Sequence, residues 1–310
     1  MKTILNRITR TLAGLGIVLS APAVAQEQKL PQPQPVEAVE ADTLELGPAL
    51  WKVADEDTTI YLFGTVHVLP ESRSGWMNGP IAKALEESET LVTEVDTTQA
   101  TAMAPTMIAA ATLAEGQNLR EMLSESDREA YEGVVTDLGL PVATFDKFEP
   151  WFAAMNLSML PLLKGGYNPE LGAEAVLSGA AGEAKTRGEL ETIQYQIDLF
   201  DGLELDDQIA YLNQVVDAVP MTGDMIDQMV TEWLEGDADA LAEMMNASMD
   251  NPMLYERLLV QRNANWARWI DDRMDQPGTV FVAVGAGHLA GEGSVQDKLG
   301  ELGIEVTRLQ

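Results

Sequence analysis

This chain of 310 residues is short of several residue types, and each shortage restricts what the protein does. It has no cysteine, which excludes disulfide bonds, a thiol nucleophile and lipid attachment through cysteine. Its 19 lysine and arginine residues stand against 50 acidic residues, which gives a net charge of −31. Because phosphates and anionic lipid head groups repel such a chain, the composition argues against nucleic acid and membrane-surface partners.

Long hydrophobic runs are scarce beyond the N-terminus. Residues 1–25 combine three basic residues, an apolar stretch too short to span a bilayer easily, and the small residues AVA. This pattern predicts a secretory signal peptide, with an uncleaved membrane anchor as the alternative. Later apolar runs are interrupted by charge, so we expect no stable membrane insertion after signal cleavage and a periplasmic or secreted location.

The rest of the chain divides by composition. Residues 26–46 are rich in Gln, Pro and Glu and predict a flexible leader, so the folded domain is expected over residues 47–310. The runs ALWKVAD and TTIYLFG predict a hairpin or two neighbouring strands. GPIAKALEESE then predicts a helix, and TLVTEVD predicts a strand that ends at Asp96.

The order of elements is similar at the two ends of this domain, in residues 59–96 and 279–309. Each part contains a strand, a G-x-x-H sequence, a helix and a second strand. We therefore predict an α/β fold with a central sheet built from two related units and a large helical insert at about residues 101–275. Helix-linked strands normally pair in parallel and bind ligands beyond their carboxyl ends, which would bring both G-x-x-H sequences to one edge.

The insert holds 13 of the 15 methionines, and its apolar residues recur at helical spacing. Methionine in this pattern is typical either of ordinary core or of a pliable binding surface. We expect the insert to cover the sheet and to form the walls of a cleft.

The two histidines, His67 and His288, both occur as G-x-x-H directly after a strand. Glycine at this point allows the chain to turn sharply and to return a side chain over the sheet edge. Neutral imidazole is the commonest metal ligand and a ready general base near neutral pH. The alternative is that each histidine is a core or loop residue with a satisfied hydrogen bond.

Glu94 is the best candidate for a third metal ligand, because an acid within the apolar run LVTEVD is costly unless it is paired or coordinated. Strand alternation would place Asp96 on the same face, as a fourth ligand or a partner of a ligand. Two histidines and one carboxylate leave positions open for water and substrate. The alternative is that both acids face solvent at the strand end.

Two further stretches carry candidate catalytic residues. GELETIQYQ places Glu191 at the start of a helix, where it or Asp96 could transfer protons. QRNANW places Arg262 among apolar neighbours, where it could bind a carboxylate or stabilise an oxyanion, although a surface ion pair explains it equally well. GAGHLAG does not have the spacing of a dinucleotide-binding loop, and no G-x-S-x-G sequence occurs.

Five stretches together resemble the TraB/GumN family, which is related to the Tiki proteins and more distantly to erythromycin esterase-like enzymes. These are LFGTVHVLP, VTEVD, LETIQYQIDLF, QRNANW and the C-terminal FVAVGAGHLAGEGSVQDKLGELGIEVTRL. The resemblance implies a site formed by His67, Glu94 and His288 with Arg262 in support. It also implies divalent-metal-dependent proteolysis with manganese or cobalt, as described for Tiki members, whereas TraB-type members are linked to blocking peptide pheromones.

The sequence and this resemblance together predict an exported, divalent-metal-dependent hydrolase of peptides or other small substrates. The resemblance implies manganese or cobalt, with zinc or iron as further options. Metal-bound water would attack the scissile carbonyl. One alternative is a non-catalytic periplasmic protein that binds a peptide, haem or a metal ion. Another is metal-free esterase chemistry with a histidine base. The sequence predicts no particular oligomeric state.

Overall fold

The structure is a computed structural model that describes residues 47–96, 99–247 and 251–310. The predicted signal peptide (1–25) and leader (26–46) lie outside the described residues. Within these described ranges, no helix is both long enough and apolar enough to cross a membrane.

The fold is mixed α/β with a six-stranded sheet in the order β6-β4-β7-β2-β1-β8 and a small two-stranded sheet, β3-β5. The strands are β1 Leu50–Ala54, β2 Thr58–Thr65, β3 Leu69–Pro70, β4 Thr90–Thr93, β5 Tyr167–Asn168, β6 Thr186–Glu189, β7 Gly278–Gly285 and β8 Thr307–Arg308. Neighbours from β6 to β2 pair in parallel, whereas β1 is antiparallel to both β2 and β8.

The helices lie mostly between β4 and β7 in the chain. They are α1 Gly79–Glu87, α2 Ala100–Ala110, α3 Leu119–Met122, α4 Glu125–Asp137, α5 Pro150–Lys164, α6 Ala173–Ala181, α7 Ile193–Asp201, α8 Leu205–Ala218, α9 Thr222–Glu235, α10 Ala238–Ala247, α11 Pro252–Tyr255, α12 Gln261–Met274 and α13 Val295–Glu301. A π-helical segment, Glu256–Val260, joins α11 to α12.

The first two strands form the predicted hairpin, in which Leu50 pairs with Phe63. Its turn is stabilised by Asp55, whose carboxylate accepts hydrogen bonds from the backbone N–H groups of Asp57 at 3.0 Å and Thr58 at 2.8 Å. A short acidic side chain that binds the backbone two or three residues ahead is typical of such turns. The hairpin prediction is therefore confirmed.

The central strands are buried on both faces. On one face Phe63 and Phe281 pack with Trp76 and Trp233, and the ring centroids of Phe63 and Trp76 are 5.4 Å apart. On the other face Ile60, Leu62, Val280 and Val282 pack against Trp266 and Ile270 of α12. Apolar groups on both faces explain why the sequences of β2 and β7 are nearly continuous apolar runs.

The helical insert differs from the prediction because it also supplies two short strands, β5 in the small sheet and β6 at the edge of the main sheet. Thr186–Glu189 pairs in parallel with β4, with Leu91 opposite Arg187. Its sequence TRGE is polar and largely exposed, so it has no apolar alternation from which a strand could be recognised.

Two predicted strands are shorter in the structure. β4 ends at Thr93, so Glu94 does not share a pleated face with Asp96, and the alternation argument fails. The C-terminal strand is reduced to Thr307–Arg308, paired with β1.

The adjacent ends of β2 and β7 define the part of the fold that positions the histidines. Thr65 lies opposite Gly285 at the carboxyl ends of these parallel strands. His67 follows β2 by two residues, and His288 follows β7 by three. Both histidines therefore leave the sheet at the same edge.

Candidate functional site

His288 lies in the short helical turn Ala286–His288 after β7 and is 6% exposed. Its Nε2 is 3.1 Å from Nη1 of Arg262, which can only donate, so Nε2 accepts. Its Nδ1 is 2.6 Å from Oδ1 of Asn263, whose amide nitrogen donates to the Gly293 carbonyl at 2.8 Å. These contacts define a neutral ring protonated at Nδ1. Burial and the charge of Arg262 lower the pKa of His288 to about 3.

Arg262 lies at the start of α12 and is almost fully buried. Its Nε donates to Glu191 at 2.9 Å, and its Nη2 donates to Glu191 at 2.9 Å and to Glu94 at 2.7 Å. Its Nη1 donates to the Leu258 carbonyl at 3.2 Å and to His288. A guanidinium has five N–H groups, and these contacts use all five. Arg262 is thus a positioning residue, and the structure does not leave it a donor for a substrate.

Glu94 follows β4 directly and is 8% exposed. Its Oε1 accepts the backbone N–H of Gly285 at 2.6 Å, and its Oε2 accepts from Arg262 and, at 3.2 Å, from Gln196. Burial raises the pKa of Glu94, but the positive charge of Arg262 and the other nearby groups outweighs burial and lowers it to about 2. The carboxylate is therefore ionised and ties β4 to β7.

Glu191 follows β6 and is also buried. Its oxygens accept from the indole N–H of Trp266 at 2.9 Å and from Gln196 at 3.1 Å, in addition to Arg262. A carboxylate with this many donors is held as an acceptor. The structure thus brings Glu191 into the predicted site, but as a partner of Arg262 rather than as an accessible base.

His67 has a different environment from His288. Its Nδ1 is 2.7 Å from Oε1 of Glu174, and its side chain is 23% exposed. Thr65 donates its hydroxyl to the same carboxylate oxygen at 2.6 Å. Burial lowers the pKa of His67, but the charge of Glu174 and its contact with the ring, together with the charge of Glu94, outweigh burial and raise the pKa to about 9. His67 is therefore a partly exposed imidazolium at neutral pH.

Glu174 is a residue of this site that the sequence argument missed. It lies in the first turn of α6 within LGAEAVLSG, where an acid is ordinary for a helix start. The backbone N–H of Ala173 donates to the Val66 carbonyl at 2.8 Å, which docks the start of α6 on the His67 loop. No local signal links Glu174 to a histidine more than 100 residues earlier in the sequence.

Gly172 allows the close approach of α6 to this loop, and Gly172→Ala is expected to disrupt it. An added Cβ would lie 2.1 Å from the His67 carbonyl oxygen, a contact that backbone atoms do not relieve easily. We expect a loss of about 1–3 kcal/mol in the free energy of unfolding, measured by urea denaturation. Gly179→Ala in the same helix is the control, because its Cβ would meet nothing within 4 Å. Equal stability of the two variants would contradict the docking argument.

Asp96 contacts residues at the outer edge of the sheet. Its carboxylate accepts from Gln99 Nε2 at 2.8 Å, and its backbone N–H donates to Glu189 at 3.0 Å. These residues line a polar cleft of about 390 Å³ at the outer edge of the sheet, together with Arg187 and Ser178.

The predicted metal ligands do not fit a divalent cation in this arrangement. Nε2 of His288 and Oε2 of Glu94 both face the guanidinium of Arg262, and Nδ1 of His67 faces Glu174. Across the described residues, no three His, Asp or Glu side chains are grouped so as to hold a metal ion. A cation bound by Glu94 and His288 would have to displace Arg262.

Comparison with known proteins identifies relatives of the whole domain. The model of the TraB/PrgY/gumN family matches residues 49–308. Uncharacterized protein YbaP of Escherichia coli (strain K12) is 27% identical over 244 residues, which cover 77% of this chain and 87% of YbaP. An uncharacterized protein of Treponema pallidum (strain Nichols) is 24% identical over 264 residues, covering 80% of this chain and 78% of that protein. No solved structure gives a significant match.

Proposed function

This chain belongs to the TraB/PrgY/gumN family, and we propose that it is a hydrolase in which His67, paired with Glu174, is the proton donor. The observation that carries the proposal is the 2.7 Å contact of Nδ1 with Oε1 on a ring that is 23% exposed. A carboxylate on one ring nitrogen orients the imidazole and leaves Nε2 for proton transfer.

Four of the other candidate residues are held in hydrogen bonds with buried groups, which favours His67 for proton transfer. His288 uses both ring nitrogens within the protein, and Arg262 uses all its donors. Glu94 and Glu191 accept hydrogen bonds from buried donors. Among the six predicted site residues, His67 combines a raised pKa with a ring that is partly exposed.

The chemistry that we propose is acid-assisted hydrolysis of a carbonyl compound, with peptides as the substrate class expected from the resemblance. The imidazolium of His67 hydrogen-bonds the scissile carbonyl and favours attack by water. When the carbon–nitrogen bond breaks, Nε2 gives its proton to the leaving amine. The proton released by the attacking water then restores the imidazolium.

The two-unit architecture predicted from the sequence belongs to the same proposal. It is supported by the parallel pairing of β2 with β7 and by the histidine that follows each strand. The second strands differ, because β4 pairs with β7, whereas β8 pairs with β1. We propose that the units share an origin and that their outer strands have diverged.

We also propose that the protein acts in the periplasm or outside the cell, on peptides or other small substrates. This part rests on the N-terminal sequence and on the net charge of −31. The charge disfavours nucleic acid as a partner.

The proposal predicts that hydrolysis continues without divalent metal, because Arg262 supplies the positive charge between Glu94 and His288. Purified protein would be incubated with manganese, cobalt, zinc or iron, or with a chelator. Metal content would be measured by elemental analysis, and cleavage of a peptide library by mass spectrometry. We expect substoichiometric metal and equal cleavage in both conditions.

The same experiment contains the test of the metal-dependent alternative. Near-stoichiometric metal that is lost in both His67→Ala and His288→Ala, together with cleavage that stops on chelation, would replace the proposal by the metallopeptidase. If peptides bind but are recovered intact under single-turnover conditions, the protein is a binding protein instead.

A further inference from the structure

An apolar cleft of about 280 Å³ lies among the helices of the insert. It is bordered by α5, α8, α9, α10 and the segment that leads into α12, and one side is open. Its walls are lined mainly by apolar side chains, among them Met159, Ala218, Met225, Met229, Met245 and Leu258. None of these described lining residues is charged, although the chain has 50 acidic residues.

The cleft borders the histidine site through two of its residues. The Leu258 carbonyl accepts Nη1 of Arg262 at 3.2 Å. Met245 packs on Gly287, because its Sδ lies 2.7 Å from where a Cβ on that glycine would be. Gly287 precedes His288 directly, so a group in the cleft would lie beside the predicted site.

Two hydroxyl groups of the cleft wall are used within the protein. Ser158 donates its hydroxyl to the Met155 carbonyl at 2.9 Å, and Thr222 donates to the Ala218 carbonyl at 3.1 Å. A peptide backbone or a charged group in the cleft would lose hydrogen bonds to water without equivalent replacement. Four methionines, Met159, Met225, Met229 and Met245, instead provide flexible, unbranched apolar walls.

The size of the cleft limits its occupant. A dry cavity of about 150 Å³ holds a benzene molecule, so this cleft has room for a group of about twice that size. It is smaller than the usual range for sites that enclose large ligands, about 300–1,000 Å³. An apolar chain of about eight carbons matches this volume, whereas haem does not.

We propose that this methionine cleft binds an unbranched aliphatic chain of the substrate, so that the site acts on acylated amides. The inference rests on the proposed function, because it takes the chain bound beside His288 to belong to a substrate whose amide bond His67 would cleave. It adds a substrate class, because the sequence analysis predicted peptides and did not predict acylated amides.

The test uses N-acyl-glycinamides with acyl chains of two, four, eight and twelve carbons as probes of the full-length protein. Binding would be measured by titration calorimetry, and each probe would be analysed afterwards for cleavage. We expect affinity to rise roughly fourfold per added methylene up to eight carbons and then to level off. Equal affinity for the two- and eight-carbon probes would overturn the inference.

Two pairs of variants make the test specific to the cleft. Ala218→Phe fills the cleft and Met225→Glu places a charge in it, and each is expected to weaken binding of the eight-carbon probe at least tenfold. The controls Ala210→Phe and Met221→Glu change exposed positions of α8 and of the turn before α9. Equal effects of a cleft variant and its control would also overturn the inference.

The outcomes separate this inference from the proposed function. Chain-length-dependent binding with all probes recovered intact supports the cleft and contradicts the hydrolase. Cleavage that is independent of chain length and unchanged in Ala218→Phe supports the hydrolase and contradicts the cleft.

Discussion

Arg262→Leu is expected to lower the free energy of unfolding by about 3–5 kcal/mol. The substitution leaves the carboxylates of Glu94 and Glu191 buried without their cation, and both are 8% exposed. Removing one partner of a buried ion pair costs much more than the pair itself contributes, because the remaining charge is not solvated. Urea denaturation at neutral pH would measure the loss.

Two comparisons make this result specific to the buried network. Arg268→Leu changes an exposed arginine of the same helix and is expected to have little effect. Glu94→Gln in the Arg262→Leu background removes one unpaired charge and should recover part of the stability. A loss below about 1 kcal/mol for Arg262→Leu would show that the network does not stabilise the fold as described.

His67→Gln is expected to lower kcat by about 10²–10⁴-fold while the protein remains folded. The reason is that His67 carries the proton that the leaving group needs, and its pKa is raised to about 9. Activity of the wild-type protein should therefore be level below pH 9 and fall about tenfold per pH unit above it. A rate that rises through pH 9 would instead identify His67 as a general base.

Glu174→Gln tests whether the carboxylate sets this pH dependence. Without the charge of Glu174, the pKa of His67 should fall, and the descending limb of the rate profile should move to lower pH. A merely structural role for His67 or Glu174 would change the rate but leave the profile in place. Circular dichroism would confirm that each variant is folded.

The stability of the wild-type protein supplies an independent check of the same pair. A histidine whose pKa rises from 6.5 to about 9 on folding stabilises the folded state fully below pH 6.5. That contribution is lost as the pH rises towards 9. Glu174→Gln should remove this pH-dependent part of the unfolding free energy.

Much of the candidate site could be predicted from the sequence because the relevant residues follow strands. His67 and His288 each occur after a glycine at the end of an apolar run, and the pairing of β2 with β7 brings those ends together. The cost of a buried acid identified Glu94 within LVTEVD, and the structure buries it. Arg262 was recognised because it stands among apolar neighbours.

The rest depends on contacts between distant parts of the chain. Glu174 reaches His67 because α6 docks on the loop after β2. Gln196 donates both to Glu94, which is 102 residues earlier in the sequence, and to Glu191, which is 5 residues earlier. Strand alternation predicted that Asp96 shares a face with Glu94. This prediction was wrong because β4 ends at Thr93, three residues before Asp96. Apolar periodicity predicts which face of a helix or strand is buried, but it does not predict which side chains of distant elements contact each other.

The sequence by itself determined an acidic α/β protein of the TraB/PrgY/gumN family with two histidines placed after strands. Only the tertiary structure decided that the two histidines differ in charge. Burial and the charge of Arg262 keep His288 neutral with a pKa of about 3, whereas the charges of Glu174 and Glu94 outweigh burial and raise the pKa of His67 to about 9. The physical reason is that burial disfavours the charged form of both imidazoles, and the fold decides whether acidic side chains lie close enough to outweigh burial.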